Sequence, residues 1–595
     1  MVESDHHLSS DTCRNHSMHG GAAVKSFVTT SRLYSYLFRE SRLLWTILAI
    51  SLTLNLWGIQ WGAPKFWHPD EITDRAISMV SARSINPHYF VYGGFPYYVV
   101  GAVAIVPVYL LSVIFDPPPP REDSRARNRW WQPRTTRIII IARMISGVMS
   151  TAVVFLTFVI GKILFDKSSA YLAALFLSVS MSFVGVAHFA TMDSPTNFWY
   201  WLSCVFALFI WKRGDHIWYA LAAVTAGFAI GIKVDRLIIL LPLLLSHFLR
   251  GEGLGFRRLI TLAILVPAGY FSANPVLFTS TFEFFDGFTR DMFYQVLKGS
   301  GPEQSSYIGI LYDMKSGLGL PLFLAALSGL AYGIYNLALN KNTAAIIWLL
   351  STFLPYYFIF GSTSVQSWYL TFFFPPLMLL TAHACVTLIN ALPQRYAFVA
   401  KFAAAALVLY SFMYTVALIV QFSNDSRYLV ADWIERNVPV NTTIEIGERG
   451  PIISEERYHI IDSLRDQESV EYVRTNRENL ERYRPYQKVR QIILDVENWA
   501  GQNFGLEVRK QTYLEWFDNL GQYDKPSEEL QSIVHQAEYI VLIEDLYPQK
   551  LRKLALPSSG YRLAAKYHFV DPFGLRPEFP FLNPPVYIFQ RIAAN

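Results

Sequence analysis

The chain has 595 residues, of which 52% are hydrophobic and 16% charged, with a formal net charge of +5, against about 25% charged in an ordinary soluble protein. The deficit is uneven: residues 421–595 carry 26 acidic and 21 basic side chains, about 27% of that stretch, while the first 420 residues are only about 12% charged. This split excludes a disordered chain, a coiled coil and a purely soluble enzyme, and the surplus of Lys and Arg belongs to membrane loops rather than to nucleic-acid binding.

Residues 1–40 form a polar segment without the apolar core of a signal peptide, expected to be a disordered cytoplasmic tail despite His6, His7, His16 and His19. The only cysteines, Cys13, Cys204 and Cys385, suit neither a disulfide framework nor a metal site. From residue 41 onward, apolar runs lie near 43–62, 95–115, 144–161, 169–189, 195–211, 216–232, 237–249, 259–273, 317–337, 343–361, 369–389 and 397–420. Lys25, Arg32, Arg39 and Arg42 precede the first run and place the N-terminus inside. The basic loops at Lys162–Lys167, Lys212–Arg213, Arg250–Arg258, Lys341 and Arg395 are all cytoplasmic only if one early run does not cross. The run 95–115, which opens Phe95-Pro96 and ends in Asp116 and Pro117–Pro120, is the one expected not to, which leaves about eleven crossings and an external Arg-rich segment, 121–137.

The fold expected is therefore a polytopic α-helical membrane domain, 41–422, whose external loop 63–137 carries Asp70-Glu71, followed by an external soluble α/β domain, 423–595. In the latter, helices are expected at Tyr428–Asn437 and Ser527–Gln536, and strands at Thr443–Ile446, Tyr539–Ile543, Tyr561–Phe569 and Val586–Phe589.

Candidate chemistry begins at Trp67-His68-Pro69-Asp70-Glu71, where proline suits the start of a helix and both carboxylates would fall in its first turn, Glu71 within reach of Arg75. Asp193 is the only formal charge between Lys167 and Lys212, and a lone charge in so apolar a stretch is costly unless it lines a wet cavity. Lys233, Asp235 and Arg236 interrupt another pair of crossings, and Arg290 and Lys298 lie on an amphipathic stretch from Phe282. Carboxylates beside a membrane cavity, with cations able to hold phosphate, suit transfer of a sugar from a lipid phosphate to a hydroxyl, the carboxylate acting as general base.

His68-Pro69-Asp70-Glu71, Phe165-Asp166, Thr191-Met192-Asp193-Ser194-Pro195, Gly231-Ile232-Lys233, Ser272-Ala273-Asn274-Pro275, Trp368-Tyr369 with Pro375-Pro376, and Tyr428 to Ile434 together resemble the C-superfamily (GT-C) integral-membrane glycosyltransferases. Within them the chain is most similar to the protein O-mannosyltransferase-like and aminoarabinose-transferase-like family, over roughly residues 40–440. The resemblance implies an inverting transfer from a polyprenyl-phosphate sugar to a protein, lipid or glycan hydroxyl, at the external face of a plasma or inner membrane. Asp70 is then the base, Glu71 the adjacent acid and Asp193 the second-loop carboxylate, with His68, His188, Lys233, Arg236, Asn274 and Arg290 on the substrates. No cofactor follows with certainty, and a divalent metal between the acids stays open; no nucleic-acid partner is expected. Two rivals from other classes are a transporter or flippase of lipid-linked sugars, in which Asp193 and Lys233 would gate, and a non-catalytic assembly subunit.

Overall fold

The computed structural model describes residues 42–592 except 91, 121, 252–254, 299–306, 362–366, 448, 462–536, 545, 547 and 557–558. The N-terminal tail with its four histidines and the helix expected at Ser527–Gln536 lie outside the described residues. The chain forms two compact units, Met1–Ile47, of which only 42–47 are described, and Leu48–Asn595, which holds everything discussed below.

Helices dominate up to residue 437. Among the described residues six are long and apolar enough to cross a membrane, and a seventh candidate is the bent pair Lys167–Ser178 and Met181–Ala187. This is fewer than the eleven crossings expected, because several apolar runs are not single helices. Arg42–Leu56 stops at 15 residues, and the chain then turns through Gly58 and Gly62, both at positive φ, a conformation open to glycine. The run 237–249 divides into a 3-10 turn, Val234–Ile239, and a helix, Leu240–Leu249. The run 343–361 breaks between Thr343–Ser351 and Leu354–Phe360, the second carrying a proline in its first turn.

The break inside 169–189 shapes the site. The two helices meet at 62°, and the carbonyls released there find hydroxyl donors, Thr415 Oγ1 reaching Val179 O at 2.8 Å and Ser180 Oγ reaching Phe176 O at 2.8 Å. Satisfying freed backbone groups in this way is the condition for irregular chain at membrane depth. The bend delivers residues 188–193 beneath the loop that carries Asp70.

Phe95–Phe115 is one 21-residue helix, long and apolar enough to span. Its end is tied by Arg134 Nη2 to Asp116 Oδ2 at 2.5 Å and by Trp130 Nε1 to Asp116 O at 2.8 Å. Its flank packs Val100, Ala104, Ile105 and Val108 against Ile138 and Ala142. The Arg-rich segment is not a loop: most of it belongs to the 41-residue helix Ser124–Leu164, capped by the Asp123 side chain, which accepts from Ala126 N.

The C-terminal part is a five-stranded mixed sheet in the order β2-β1-β3-β5-β4, with β1 Thr443–Ile446, β2 His459–Ile461, β3 Tyr539–Ile543, β4 Tyr561–Tyr567 and β5 Val586–Arg591. β1 pairs in parallel with β2 and β3, whereas β5 runs antiparallel to β3 and β4. Central β3, buried at all five positions, is the continuous apolar run such a place demands. Helix Ser426–Asn437 packs Val430 and Ile434 onto the sheet.

Asp425 joins this domain to the membrane part. Its carboxylate accepts two bonds from the Arg427 guanidinium at 2.8 Å, one from Trp61 Nε1 at 3.0 Å and one from Asn583 N at 2.7 Å. Both charges are fully buried, so removing one partner strands the other in a medium that cannot solvate it. Asp425→Asn is expected to destabilise the protein by about 3–5 kcal/mol, read as a lowered unfolding midpoint in detergent followed by tryptophan fluorescence.

Candidate functional site

The site is assembled around the loop between Arg42–Leu56 and the short helix Thr73–Ser81. That helix starts later than expected: Ile72 is its N-cap and Asp74 its first-turn acid, so Pro69, Asp70 and Glu71 lie in the preceding turn. Glu71 does not reach for Arg75. Its two oxygens are held by Arg143, Nε to Oε1 at 2.6 Å and Nη2 to Oε2 at 2.9 Å, and both side chains are fully enclosed. Arg143 Nη1 also donates to the carbonyls of Ile59 at 2.7 Å and Trp61 at 2.5 Å, and Ala190 N donates to Glu71 Oε1 at 3.3 Å. A planar fork matched to a carboxylate gives such a pair its direction. Every charged atom of Glu71 is thereby committed to holding the loop, which removes it from the acids expected to act on substrate.

Asp70, half-buried, stands one residue earlier. Its N–H donates to His68 Nδ1 at 3.2 Å, so that nitrogen carries no proton. His68 is enclosed by Phe189, Trp368 and Phe581, with ring centroids 4.5, 5.7 and 5.2 Å away. Burial first, then the charges of Arg143 and Arg449, push its pKa down to about 3. His68 is thus a neutral prop for the Asp70 turn rather than a ligand for a charged group.

Asp193 opens the helix Asp193–Lys212 and pairs with Lys233, Nζ to Oδ1 at 2.5 Å, both side chains about 5% exposed or less. The partner of Lys233 is therefore Asp193, 40 residues away, rather than its near neighbour Asp235. Asp235 instead holds Arg236, Nη1 to Oδ2 at 2.9 Å, and accepts from Tyr356 OH at 3.2 Å. Lys233 leaves the end of His216–Ile232 in an extended conformation, and its ammonium lies 4.0 Å from the centroid of Tyr369 and 5.2 Å from that of Tyr92. The two phenols meet, oxygen to oxygen, at 3.1 Å. Burial chiefly, and the charges of Tyr369, Asp70, Tyr89 and Asp193 after it, raise the Tyr92 pKa well above the ordinary phenol value. Tyr92 thus stands within the fields of both carboxylates, Asp70 and Asp193.

Asn274 works on backbone rather than on substrate: Nδ2 donates to Gly231 O at 2.9 Å and Tyr270 O at 3.1 Å, while Oδ1 accepts from Gly94 N at 2.9 Å. Next to it Gly93 N donates to Ile232 O at 2.9 Å, and a Cβ on Gly93 would run into the Gly231 carbonyl. This seam sets Lys233 against Tyr92. His188 is likewise used up, its ring nitrogens 2.8 Å from the carbonyls of Val184 and Trp57. Arg290 is on the helix Thr281–Lys298, and its side chain falls outside the described part of the structure. Arg143, Tyr92 and Tyr369 were not among the sequence candidates for chemistry. Arg143 carried a signal, a cation at the mouth of an apolar run, which by the logic used for Asp193 and Lys233 needs a partner.

A metal between the acids does not fit. Glu71 is closed by Arg143 and Asp193 by Lys233, and among the described residues no group of three or more His, Cys, Asp or Glu side chains converges. A separate cavity of about 780 Å³ lies between helix Tyr307–Leu318 and residues 568–585, lined among others by Ser182, Asp313, Gln421, Phe579 and Phe581.

Because His68 binds a proton at about pH 3 when folded and near 6.5 when unfolded, the unfolded chain holds more protons between those values and stability rises with pH across that window. His68→Gln is expected to lose less stability than the wild type on going from pH 7 to pH 4, by about 3 kcal/mol, measured as the difference between the two unfolding curves.

Residues 134–273 match the model of the family described as dolichyl-phosphate-mannose-protein mannosyltransferase. No curated protein matches the chain. Among solved structures, ArnT from Cupriavidus metallidurans bound to undecaprenyl phosphate is 12% identical, with 92% of this chain and 98% of that one covered at a TM-score of 0.44; its apo state gives 13%, 95%, 98% and 0.43. The apo oligosaccharyltransferase of Archaeoglobus fulgidus is 13% identical at a TM-score of 0.41, with 68% of this chain covered, and the match spans 62% of the archaeal protein's length. The stretch that resembles this family carries Arg143, Asp193 and Lys233 of the site just described.

Proposed function

We propose that this protein is a glycosyltransferase that moves a sugar from a polyprenyl-phosphate-linked donor to a hydroxyl acceptor, with inversion, on the outer face of a membrane, and that Asp70 is the general base. One observation carries the assignment. Asp70 sits half-buried on the turn that the Glu71–Arg143 pair fixes, oriented through its own N–H by a neutral histidine. The donor class is supported by the family that residues 134–273 match. In the step proposed, the acceptor oxygen attacks the anomeric carbon from the face opposite the phosphate and its proton passes to Asp70. The sugar–phosphate C–O bond breaks with its electron pair going to the phosphate oxygen. A lipid phosphate leaves as a stabilised anion, so fixed positive charge rather than an acid is what the departure requires. Lys233, held by Asp193 against Tyr92 and Tyr369, fixes that wall of the site.

The membrane arrangement belongs to the same proposal. In it residues 63–137 and the C-terminal domain lie outside and the N-terminus lies in the cytoplasm. Phe95–Phe115 does not cross in this reading, because its end is tied to Arg134, only nine residues before the Arg143 that holds Glu71. A cysteine at position 127 is expected to react with an impermeant thiol reagent from outside; reaction only after permeabilisation overturns this topology.

Turnover is measured with purified protein and a radiolabelled polyprenyl-phosphate sugar. Asp70→Asn is expected to lose about 10²–10⁴-fold in rate while still binding donor, since a base acts only in the transition state. Wild-type turnover by Asp70→Asn removes the assignment. Lys233→Met strands a buried Asp193 and is expected to cost about 3–5 kcal/mol of stability, most of which Asp193→Asn in the same chain recovers; full stability of Lys233→Met alone excludes the pair as a structural element.

A further inference from the structure

The cations packed around the site are mostly spent. Arg143 is on Glu71, Lys233 on Asp193, Arg236 on Asp235, Arg427 on Asp425 and Arg134 on Asp116. A phosphate that recruited one of the buried ones would have to compete with its carboxylate, and drawing the cation away leaves a buried charge without compensation. Arg75 has no carboxylate partner among the described residues, but its guanidinium lies on the Tyr89 ring, 4.1 Å from the centroid, and donates to Pro87 O at 3.5 Å.

Arg449 is placed differently. It follows β1 in the C-terminal domain and is half-buried, and among the described residues no carboxylate pairs with it. Its guanidinium is 5.2 Å from the Phe581 ring, and Phe581 stands edge-on to His68, whose Nδ1 holds the N–H of Asp70. The backbone there is locked onto the Asp70 loop. Trp67 Nε1 donates to Gly450 O at 3.1 Å, Arg427 Nη1 donates to Arg449 O at 3.4 Å, and Gly450 N closes a turn on Gly447 O at 2.8 Å. A Cβ on Gly450 would collide with the Ile446 side chain, so the tight turn needs that glycine. The sheet domain thus presents a guanidinium fork beside the catalytic turn on a backbone that cannot drift. The charge of Arg449 is also one of the two that lower the pKa of His68 after burial has done so.

We propose that Arg449 binds the phosphate of the lipid-linked donor and of the lipid phosphate that leaves, so that the soluble domain completes the donor site. A guanidinium that no carboxylate among the described residues engages has N–H groups for bidentate contact with phosphate oxygens. This rests on the polyprenyl-phosphate donor proposed above. It also assigns the C-terminal domain a part in donor binding, beyond its packing on the membrane helices.

The test compares binding of undecaprenyl phosphate and undecaprenol, which differ only in the phosphate, to the full-length protein in detergent. Wild type is expected to prefer the phosphate at least about tenfold. Arg449→Gln is expected to weaken undecaprenyl phosphate by about 10–100-fold, the range of a charge-assisted hydrogen bond, with undecaprenol binding and the unfolding midpoint unchanged. Arg449→Lys keeps the charge without the fork and is expected to recover part of the loss. If Arg449→Gln binds undecaprenyl phosphate as wild type does, the assignment of Arg449 is wrong and the donor reading stands. If it loses both ligands equally, or if Arg449→Lys is as weak as Arg449→Gln with a lowered midpoint, the residue is structural and the proposal falls. If wild type does not distinguish the two lipids, the donor reading itself fails.

Discussion

Glu71 and Arg143 form the interaction on which the site depends. A carboxylate and a guanidinium with no exposed surface on either side chain hold the turn carrying Asp70 against two other pieces of chain. Arg143 reaches the carbonyls of Ile59 and Trp61 on one side, and Glu71 accepts from Ala190 on the other, with Ile72 N donating to Ala190 O at 2.9 Å beside it. A buried pair of this kind contributes little net stability compared with apolar packing, because desolvation offsets most of the attraction. Its value is geometric: the bidentate contact admits one orientation, and three segments distant in sequence must agree before both charges are satisfied.

A second constraint comes from the other side of the loop. Trp61 and Trp67 are wholly buried and each spends its indole N–H on the C-terminal part of the chain, on Asp425 and Gly450. The Arg427 guanidinium covers the Trp67 ring at 3.8 Å. Aromatic faces attract a cation most when water is excluded, so the stacking and the Asp425 pair reinforce one another. Phe579 and Phe581 continue the contact onto Phe189 and His68. The Asp70 turn is consequently held between the helical part of the chain and the C-terminal sheet domain.

Charge neutrality runs through the whole arrangement. Each buried acid in the site region faces its own base, Glu71 with Arg143, Asp193 with Lys233, and Asp425 with Arg427. In a region of low dielectric this pairing is the condition for keeping ionised groups at all. Among the described residues it leaves no set of three His, Cys, Asp or Glu side chains for a metal. The tyrosines around Lys233 add a polarisable wall that favours positive charge without neutralising it.

How much of this was legible in advance follows from the range of each interaction. Apolar runs, the polar C-terminal third and strands such as Thr443–Ile446 and Tyr539–Ile543 are written in local composition and periodicity, and they appeared where the pattern put them. The importance of Asp70, Glu71, Asp193 and Lys233 was legible because a charge in apolar surroundings must have a reason. What that reason is could not be read, since the partner of each lies far along the chain: Arg143 is 72 residues from Glu71, and Lys233 is 40 from Asp193. The short strand His459–Ile461 and the helix break at Val179, rescued by Thr415, depend in the same way on neighbours that only folding supplies. By itself the sequence determined which groups are too costly to be idle, because desolvation acts on each residue separately. The tertiary structure decided which of them are spent on one another, because pairing is a property of distance in space.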